Sequence, residues 1–391
     1  MAAPKLRFKE FDKAFSRNTI KELAKIYVGR DLVEDAYSPI KTETHIYPIY
    51  SNSVDNEGLY GYYNFEEFNF DDDALTVVGR GAGLGKAFYR QGGFGTIGRL
   101  LSLTPKDKSF HPKYLSDYIN DKLIIHNESG GIPQLPRSSL ENYEVVLPSY
   151  EEQTKIASFL SNVDEKISQL TQKHALLSQY KQGMMQKLFS QQIRFKADDG
   201  SEFGEWEEKI IGEIANIKRG ASPRPITDAK WFDEESKVGW VRISDVSKSK
   251  KILVETEQYL SSEGIQKSRF IPKGNIIMSI CATIGKPIYT GFDVCIHDGF
   301  VVFSELKAWH EYTYYYLEYI EKNWYQYGQP GTQVNLNSDI VSNEIFPFPC
   351  LEEQTKIANF LSAIDQKIEV VAQQIEQAKT WKKGLLQQMF V

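Results

Sequence analysis

The sequence predicts an α+β protein built as a pseudo-two-fold internal repeat. Two α/β domains are joined by two long helices that form an antiparallel coiled coil. Three observations predict this. The segment from Pro148 to Phe189 returns as Pro349 to Phe390, with about 19 of 42 positions identical. Both copies carry apolar residues at alternating spacings of four and three, the pattern of a coiled-coil seam. The segments between them are rich in Gly, Tyr, Phe and short β-prone runs, such as Leu75-Thr76-Val77-Val78 and Phe300-Val301-Val302-Phe303, and each is of ordinary domain size.

The elements follow in order. Residues 1–17 form an N-terminal arm, 18–147 a first globular domain and 148–190 a central helix. Residues 191–205 link the halves, 206–348 form the second domain, and 349–391 the C-terminal helix. The linker repeats the arm, because Ile193-Arg194-Phe195-Lys196 echoes Leu6-Arg7-Phe8-Lys9. Within the domains, Leu84-Gly85-Lys86 aligns with Ile284-Gly285-Lys286, and Gly29 with Gly220. Residues 114–124 and 312–319 read as short helices.

Each long helix opens after a proline with an acidic pair, Glu151-Glu152 or Glu352-Glu353, which suits the positive end of a helix dipole. The seam runs through Ile156, Leu160, Val163, Ile167, Leu170, His174, Leu177, Lys181, Met184 and Leu188. In the second copy it runs through Ile357, Leu361, Ile364, Ile368, Val371, Ile375, Ala378, Lys382, Leu385 and Met389. Antiparallel pairing with full overlap brings Ile156 near Met389 and Leu188 near Ile357. Lys181 and Lys382 hold equivalent seam positions. A charge there is costly unless its stem snorkels out, so the two lysines are expected to disfavour slipped registers.

Composition sets limits. The formal net charge is −6, which argues against nonspecific, charge-driven nucleic-acid binding but leaves room for local basic clusters. No apolar run is long enough to span a bilayer, and the N-terminus lacks the apolar core of a secretory signal. Cys281, Cys295 and Cys350 show no metal-type spacing, so a reducing cytoplasm is expected.

The search for catalytic motifs comes back empty. Gly79-Arg80-Gly81-Ala82-Gly83-Leu84-Gly85-Lys86 resembles a phosphate-binding loop, but Arg80 and Ala87 stand where that loop needs a glycine and a hydroxyl. It reads instead as a turn whose glycines admit a close ligand, flanked by Arg80, Lys86, Arg90 and Arg99, or as a plain hairpin turn. The six histidines are scattered, and His297 beside Asp298 has no further partner at a telling spacing. No Asn-Pro-Pro-Tyr or Asp-Pro-Pro-Tyr motif is present to hold a flipped adenine. A protein in two equivalent halves without chemistry of its own suits a target in two parts, and duplex DNA with two half-sites is the leading candidate.

The chain resembles the specificity (S) subunit of type I restriction–modification systems over essentially its whole length. The resemblance rests on Pro-x-x-Glu-Glu-Gln-x-x-Ile at Pro148–Ile156 and Pro349–Ile357, and on the arm Pro4-Lys5-Leu6-Arg7-Phe8. It rests also on Trp240-Val241-Arg242-Ile243-Ser244-Asp245, Gly331 through Asn337, Tyr50-Ser51-Asn52, Gly58 through Tyr62 and Thr96-Ile97-Gly98. It implies two target-recognition domains, each reading one half of a bipartite double-stranded DNA sequence, with the helices setting the unread gap. Two methyltransferase subunits would dock on the helices and methylate adenines with S-adenosylmethionine. Two restriction/translocase subunits would join through them, using ATP and Mg. The chain itself would bind no cofactor and catalyse nothing. Only the first domain has the glycine-rich turn and only the second the Trp-Val-Arg-Ile-Ser-Asp run, so the target is expected to be asymmetric.

The expected DNA-contacting residues are Arg30, Arg80, Lys86, Arg90 and Arg99 in the first domain. In the second they are Lys218, Arg219, Arg224, Lys230, Arg242, Lys286 and Gln333. Arginine and glutamine suit bidentate base contacts, and lysine suits phosphates. Glu152, Gln153, Glu353 and Gln354 are expected at the start of the partner-binding faces. The rival reading is a coiled-coil adaptor with two ligand-binding domains. It accounts for the helices and the acidity but not for basic residues in glycine turns in both halves.

Overall fold

The computed structural model describes residues 4–69, 73–127, 130–327 and 336–391. The chain forms two compact units, one of residues 1–172 and 372–391, the other of residues 173–371. Each unit holds one globular domain and one segment from each long helix.

In the first unit a four-stranded antiparallel sheet has the order Ala24–Val28, Leu101–Pro105, Ala74–Val77, Ala87–Arg90. The inner strand Ala74–Val77 is buried along its length, which is why it reads as an unbroken β-prone run rather than an alternating one. The helix Pro112–Lys122 shares its core, through Tyr114, Leu115, Tyr118 and Ile119. A second four-stranded sheet carries Tyr37–Ser38, Leu59–Tyr63, Tyr47–Tyr50 and Gly95–Thr96, and a ribbon pairs Ser16–Thr19 with Glu144–Leu147.

The second unit repeats the plan. Asn216–Arg219, Phe300–Ser304, Ile276–Ser279, Pro287–Thr290 and Ile252–Leu253 form one sheet. Gln258–Tyr259, Gly239–Val241, Val294–Ile296 and Arg269–Ile271 form the other, and Glu207–Ile210 pairs with Ile345–Phe348. The helix His310–Tyr319 is the counterpart of Pro112–Lys122 and packs four buried tyrosines and Leu317 into its core.

The long helices run unbroken over Tyr150–Phe189 and Leu351–Met389. In the first unit Ile156, Ala157, Leu160 and Val163 share a core with Leu385, Met389 and Phe390. In the second, Ile357, Ala358, Leu361 and Ile364 share one with Met185, Leu188 and Phe189. The start of one helix thus meets the end of the other within each unit, so the segments run antiparallel, in the register the heptads predict. Two details differ. Ala157 and Ala358 are also buried, because these turns face a domain as well as a helix and need a wider apolar stripe. Met185 is buried where the heptad points to Met184, which is only half-buried.

The seam lysines do not snorkel. Lys181, 11% exposed at its side chain, meets Asp365 at 2.7 Å and Glu318 at 2.8 Å. Its repeat counterpart Lys382 meets Asp164, the counterpart of Asp365, at 2.5 Å. Each pair joins one helix to the other at equivalent positions, and a slipped register would break both pairs.

The repeated Pro-x-x-Glu-Glu-Gln motif is a clamp. Arg7 donates from Nε and Nη2 to Glu152, both at 2.8 Å, and Arg194 donates to Glu353 at 3.0 and 2.8 Å. The same guanidinium groups bond the carbonyls of Lys13 and Gly204. Gln153 accepts from the backbone N–H of His111 and donates to the Pro148 carbonyl. Gln354 accepts from Trp309 N–H and donates to Pro349. His111 and Trp309 are the N-cap residues of the short domain helices. The motif therefore ties arm and domain to the start of each long helix. Glu152, Gln153, Glu353 and Gln354 are each at most 1% exposed. This corrects the expectation that they open partner-binding faces, because their polar atoms are spent inside the chain.

Removing Arg194 leaves Glu353 buried with only the Trp206 indole and no cation. Arg194→Ala is expected to destabilise the chain by about 3 kcal/mol in urea denaturation, and Arg7→Ala by a similar amount. A loss under about 0.5 kcal/mol would mark the clamp as a weak surface pair.

Candidate nucleic-acid interface

In the first unit, strand Ala24–Val28 ends at Gly29, whose N–H donates to Leu100 at 2.7 Å. Arg30 N–H donates to Thr96, Gly98 N–H to Arg30, and Arg99 N–H to Gly29. A Cβ at Gly29 would sit 3.0 Å from the Ile97 carbonyl, so the corner needs glycine there. Gly98 and Arg99 both take positive φ, 66° and 69°. Asn52 pins the corner, donating to the Gly98 carbonyl at 2.5 Å and accepting from Gly79 N–H at 2.8 Å. Three exposed arginines are thereby linked through backbone: Arg30 and Arg99 by the corner's own bonds, and Arg80 by its neighbour Gly79. Arg80 and Arg99 have no side-chain hydrogen bond or ion pair among the described residues. Lys86 is exposed at the end of the glycine-rich turn.

Two of the turn's glycines are needed by the chain's own packing. A side chain at Gly83 would strike Val54, and one at Gly85 would strike Ile125. The glycines admit the chain's own residues, and only Gly81, with φ 93°, faces open space. Gly285 repeats the pattern against Trp324.

Arg90 is a correction. It is 3% exposed and lies over the Tyr50 ring at 3.5 Å. It donates to Thr76 Oγ1 at 3.0 Å and to the Glu57 carbonyl at 2.5 Å. Burial pulls its pKa down, against the pull of Tyr50 and Glu57. It joins the two sheets of its domain and has no face for a ligand.

The second unit repeats part of this corner. Gly220 N–H donates to Phe300 at 2.9 Å and Ala221 N–H to Ile296 at 3.0 Å, as Gly29 and Arg30 do to Leu100 and Thr96. Arg219, Arg224 and Arg242 are exposed around it. Arg219 Nε donates to the Asp298 carbonyl at 2.6 Å, and Arg224 Nη2 to Asp298 Oδ2 at 3.2 Å. Lys218 is exposed on strand Asn216–Arg219. Lys230 is exposed over the Trp231 ring, 3.4 Å from Asp228. Lys286 is a second correction. Half-buried, it donates to the carbonyls of Val246 and Ser249 at the end of helix Ile243–Lys248, and burial lowers its pKa. It caps that helix rather than facing solvent. Gln333 lies outside the described residues.

Residue reading missed the acceptor of this corner, Asp298, the Ser222 hydroxyl that donates to it, and the supporting Arg269, which donates to the Arg219 carbonyl. The repeat alignment was the available signal, since Gly29 and Gly220 mark the two corners. Among the described residues, no three His, Cys, Asp or Glu are placed to hold a metal, and no helix is long and apolar enough to cross a membrane.

Residues 14–179 and 204–380 match the model of the type I restriction modification DNA specificity domain. The chain belongs to this family. The MjaVIII type I restriction enzyme specificity subunit of Methanocaldococcus jannaschii is 26% identical over 346 residues, 82% of this chain and 79% of that protein. A putative MjaX specificity subunit from the same organism is 28% identical over 303 residues, 73% and 69% of the two chains. Among solved structures, a type I S subunit from M. genitalium matches with a TM-score of 0.65 at 16% identity, covering 100% of this chain and 99% of its own. A chain from a structure of type I complex assembly and conformational transition matches at 0.60 and 15% identity, covering 97% and 98%. These two likenesses show the fold. Membership in the specificity family sets aside the adaptor reading.

Arg90→Ala is expected to cost about 3 kcal/mol in stability, since it removes a buried cation and strands Thr76 and Tyr50. Arg80→Ala and Arg99→Ala are expected to stay within about 0.5 kcal/mol of the parent in the same denaturation assay. A reversed order would contradict the burial assignment.

Proposed function

We propose that this specificity subunit reads DNA and organises its partners without catalysing a reaction. Each domain reads one half of an asymmetric bipartite duplex target, and the helices set the spacer. Two methyltransferase subunits dock on the helical faces and use S-adenosylmethionine. Two restriction/translocase subunits join through them with ATP and Mg. The complex works in the cytoplasm, where its DNA is.

The observation that carries this reading is one backbone corner built twice with different side chains. Arg30 and Arg99 surround it in the first unit, and Arg219, Arg224 and Asp298 in the second. A constant frame with different polar groups suits two readers of different half-sites. The formal charge of −6 suits a reader that relies on partners for much of its phosphate contact.

With the Glu-Gln pairs buried, the partner faces are assigned to apolar grooves and exposed aromatic and aliphatic residues on the helices. In the first unit an open groove of about 670 Å³ is lined by Phe159, Val163, Leu170, Ala378 and Trp381. Trp381 is 54% exposed. In the second, Leu176 and Tyr180, the repeat counterparts of Gln377 and Trp381, are likewise exposed.

The test is reconstitution with a type I methyltransferase partner. Mass measurement is expected to give two methyltransferases per chain. The complex is expected to methylate one adenine in each half of an interrupted, asymmetric motif. A one-to-one complex at saturating partner, or a single uninterrupted motif, would overturn the proposal.

A further inference from the structure

The corner around Gly220 holds a carboxylate that the corner around Gly29 lacks. The matching bonds of Thr96 with Ile296 and Leu100 with Phe300 place Asp298 where the first unit has Gly98. Asp298 is 44% exposed at its side chain and is fully engaged with its neighbours. Its Oδ1 accepts from Ser222 Oγ at 2.9 Å, its Oδ2 from Arg224 Nη2 at 3.2 Å, and its carbonyl from Arg219 Nε at 2.6 Å. His297 Nδ1, 3.6 Å from Oδ1, accepts from Gly299 N–H at 2.8 Å, so the neutral ring carries its proton on Nε2. Burial pushes the carboxyl pKa up, but the Ser222 hydrogen bond, its own backbone N–H and the Arg224 charge outweigh it and hold it below its ordinary value.

The two guanidinium groups are held by one edge each. Arg219 spends only Nε, and Arg224 only Nη2, which leaves donors on both uncommitted among the described residues. Both side chains are exposed. A guanidinium fixed this way offers a planar pair of donors in one orientation, the arrangement that matches the N7 and O6 acceptors of guanine in a major groove. A loose guanidinium of the same charge would settle on phosphate instead, which carries no sequence information. The carboxylate itself repels phosphate and so opposes a nonspecific approach at this corner.

We infer that Asp298 is a specificity-determining positioning residue of the second domain: its carboxylate orients Arg224, beside an Arg219 held by the backbone carbonyl of the same residue, so that Arg224 reads guanine in that domain's half-site. The inference rests on the DNA-reading function proposed above. The first domain, with Gly98 at this place and Arg30 and Arg99 beside it, reads its half-site without such an ordering carboxylate.

The test uses the full chain in complex with its methyltransferase partners. Methylation rates are measured on a set of duplexes, each with one base pair of the target replaced. Asp298→Asn keeps an acceptor for Ser222 and removes the charge. It is expected to lower discrimination at guanine positions of the second half-site about tenfold, with first-half discrimination and melting temperature unchanged. Arg224→Lys keeps the charge and loses the planar fork. It is expected to lower discrimination at the same positions, and it serves if the first variant fails to fold. Unchanged discrimination in these variants, or a second half-site without guanine, overturns the inference. A parent complex with no sequence preference would instead overturn the proposed function itself.

Discussion

Antiparallel pairing of the duplicated helix segments is the constraint on which the rest of the structure depends. A single amphipathic helix of this length cannot bury its seam alone. Here each seam is closed by the opposite end of the other copy, as Ile156 with Met389 in one unit and Ile357 with Leu188 in the other. The Asp164–Lys382 and Asp365–Lys181 pairs key both segments to the same register. A half-buried pair of this kind adds little net stability over an apolar one, and its effect lies in disfavouring slipped alternatives. The Glu and Gln of the repeated motif then fix arm and domain helix to that frame. This explains why the strongest identity between the copies falls at the helix start: three partners converge there on a few side chains.

The heptads, the repeat and the strands were legible because they depend on periodicity and apolar composition, which a sequence displays directly. Side-chain placement was less so. Glu152 and Gln153 looked like surface polar residues because their partners, Arg7 and His111, are far away in sequence. Arg90 and Lys286 looked like DNA contacts for the same reason. Whether a cation stacks on Tyr50 or caps a helix depends on tertiary packing, which residue type does not reveal. Asp298 went unread because a search for DNA contacts looks for cations, and here a carboxylate does the ordering. The arm echo, Leu6–Lys9 against Ile193–Lys196, was visible, but its role in clamping Glu152 and Glu353 was not.

The two domains show how one frame supports divergent recognition. The two corners share the backbone bonds made by Gly29 and Gly220, by Arg30 and Ala221, and by Leu100 and Phe300, and their glycines lie in close contact with the chain itself. The side chains on that frame differ at equivalent places in whether they carry a charge, as Gly98 against Asp298 and Arg30 against Ala221. Change at such positions costs the fold little, because exposed groups away from caps and cores have small effects on stability. The buried clamp and seam residues have no such freedom.

Helix length as the ruler of the target is tested most directly by inserting four residues after Gln172, at an exposed position in the first long helix. Four residues lengthen a helix by about 6 Å. Methylation mapping of the variant complex should show both half-sites unchanged and the spacer longer by about one or two base pairs, given roughly 34 Å per turn of DNA. An unchanged spacer, or altered half-sites at the old spacing, would contradict it.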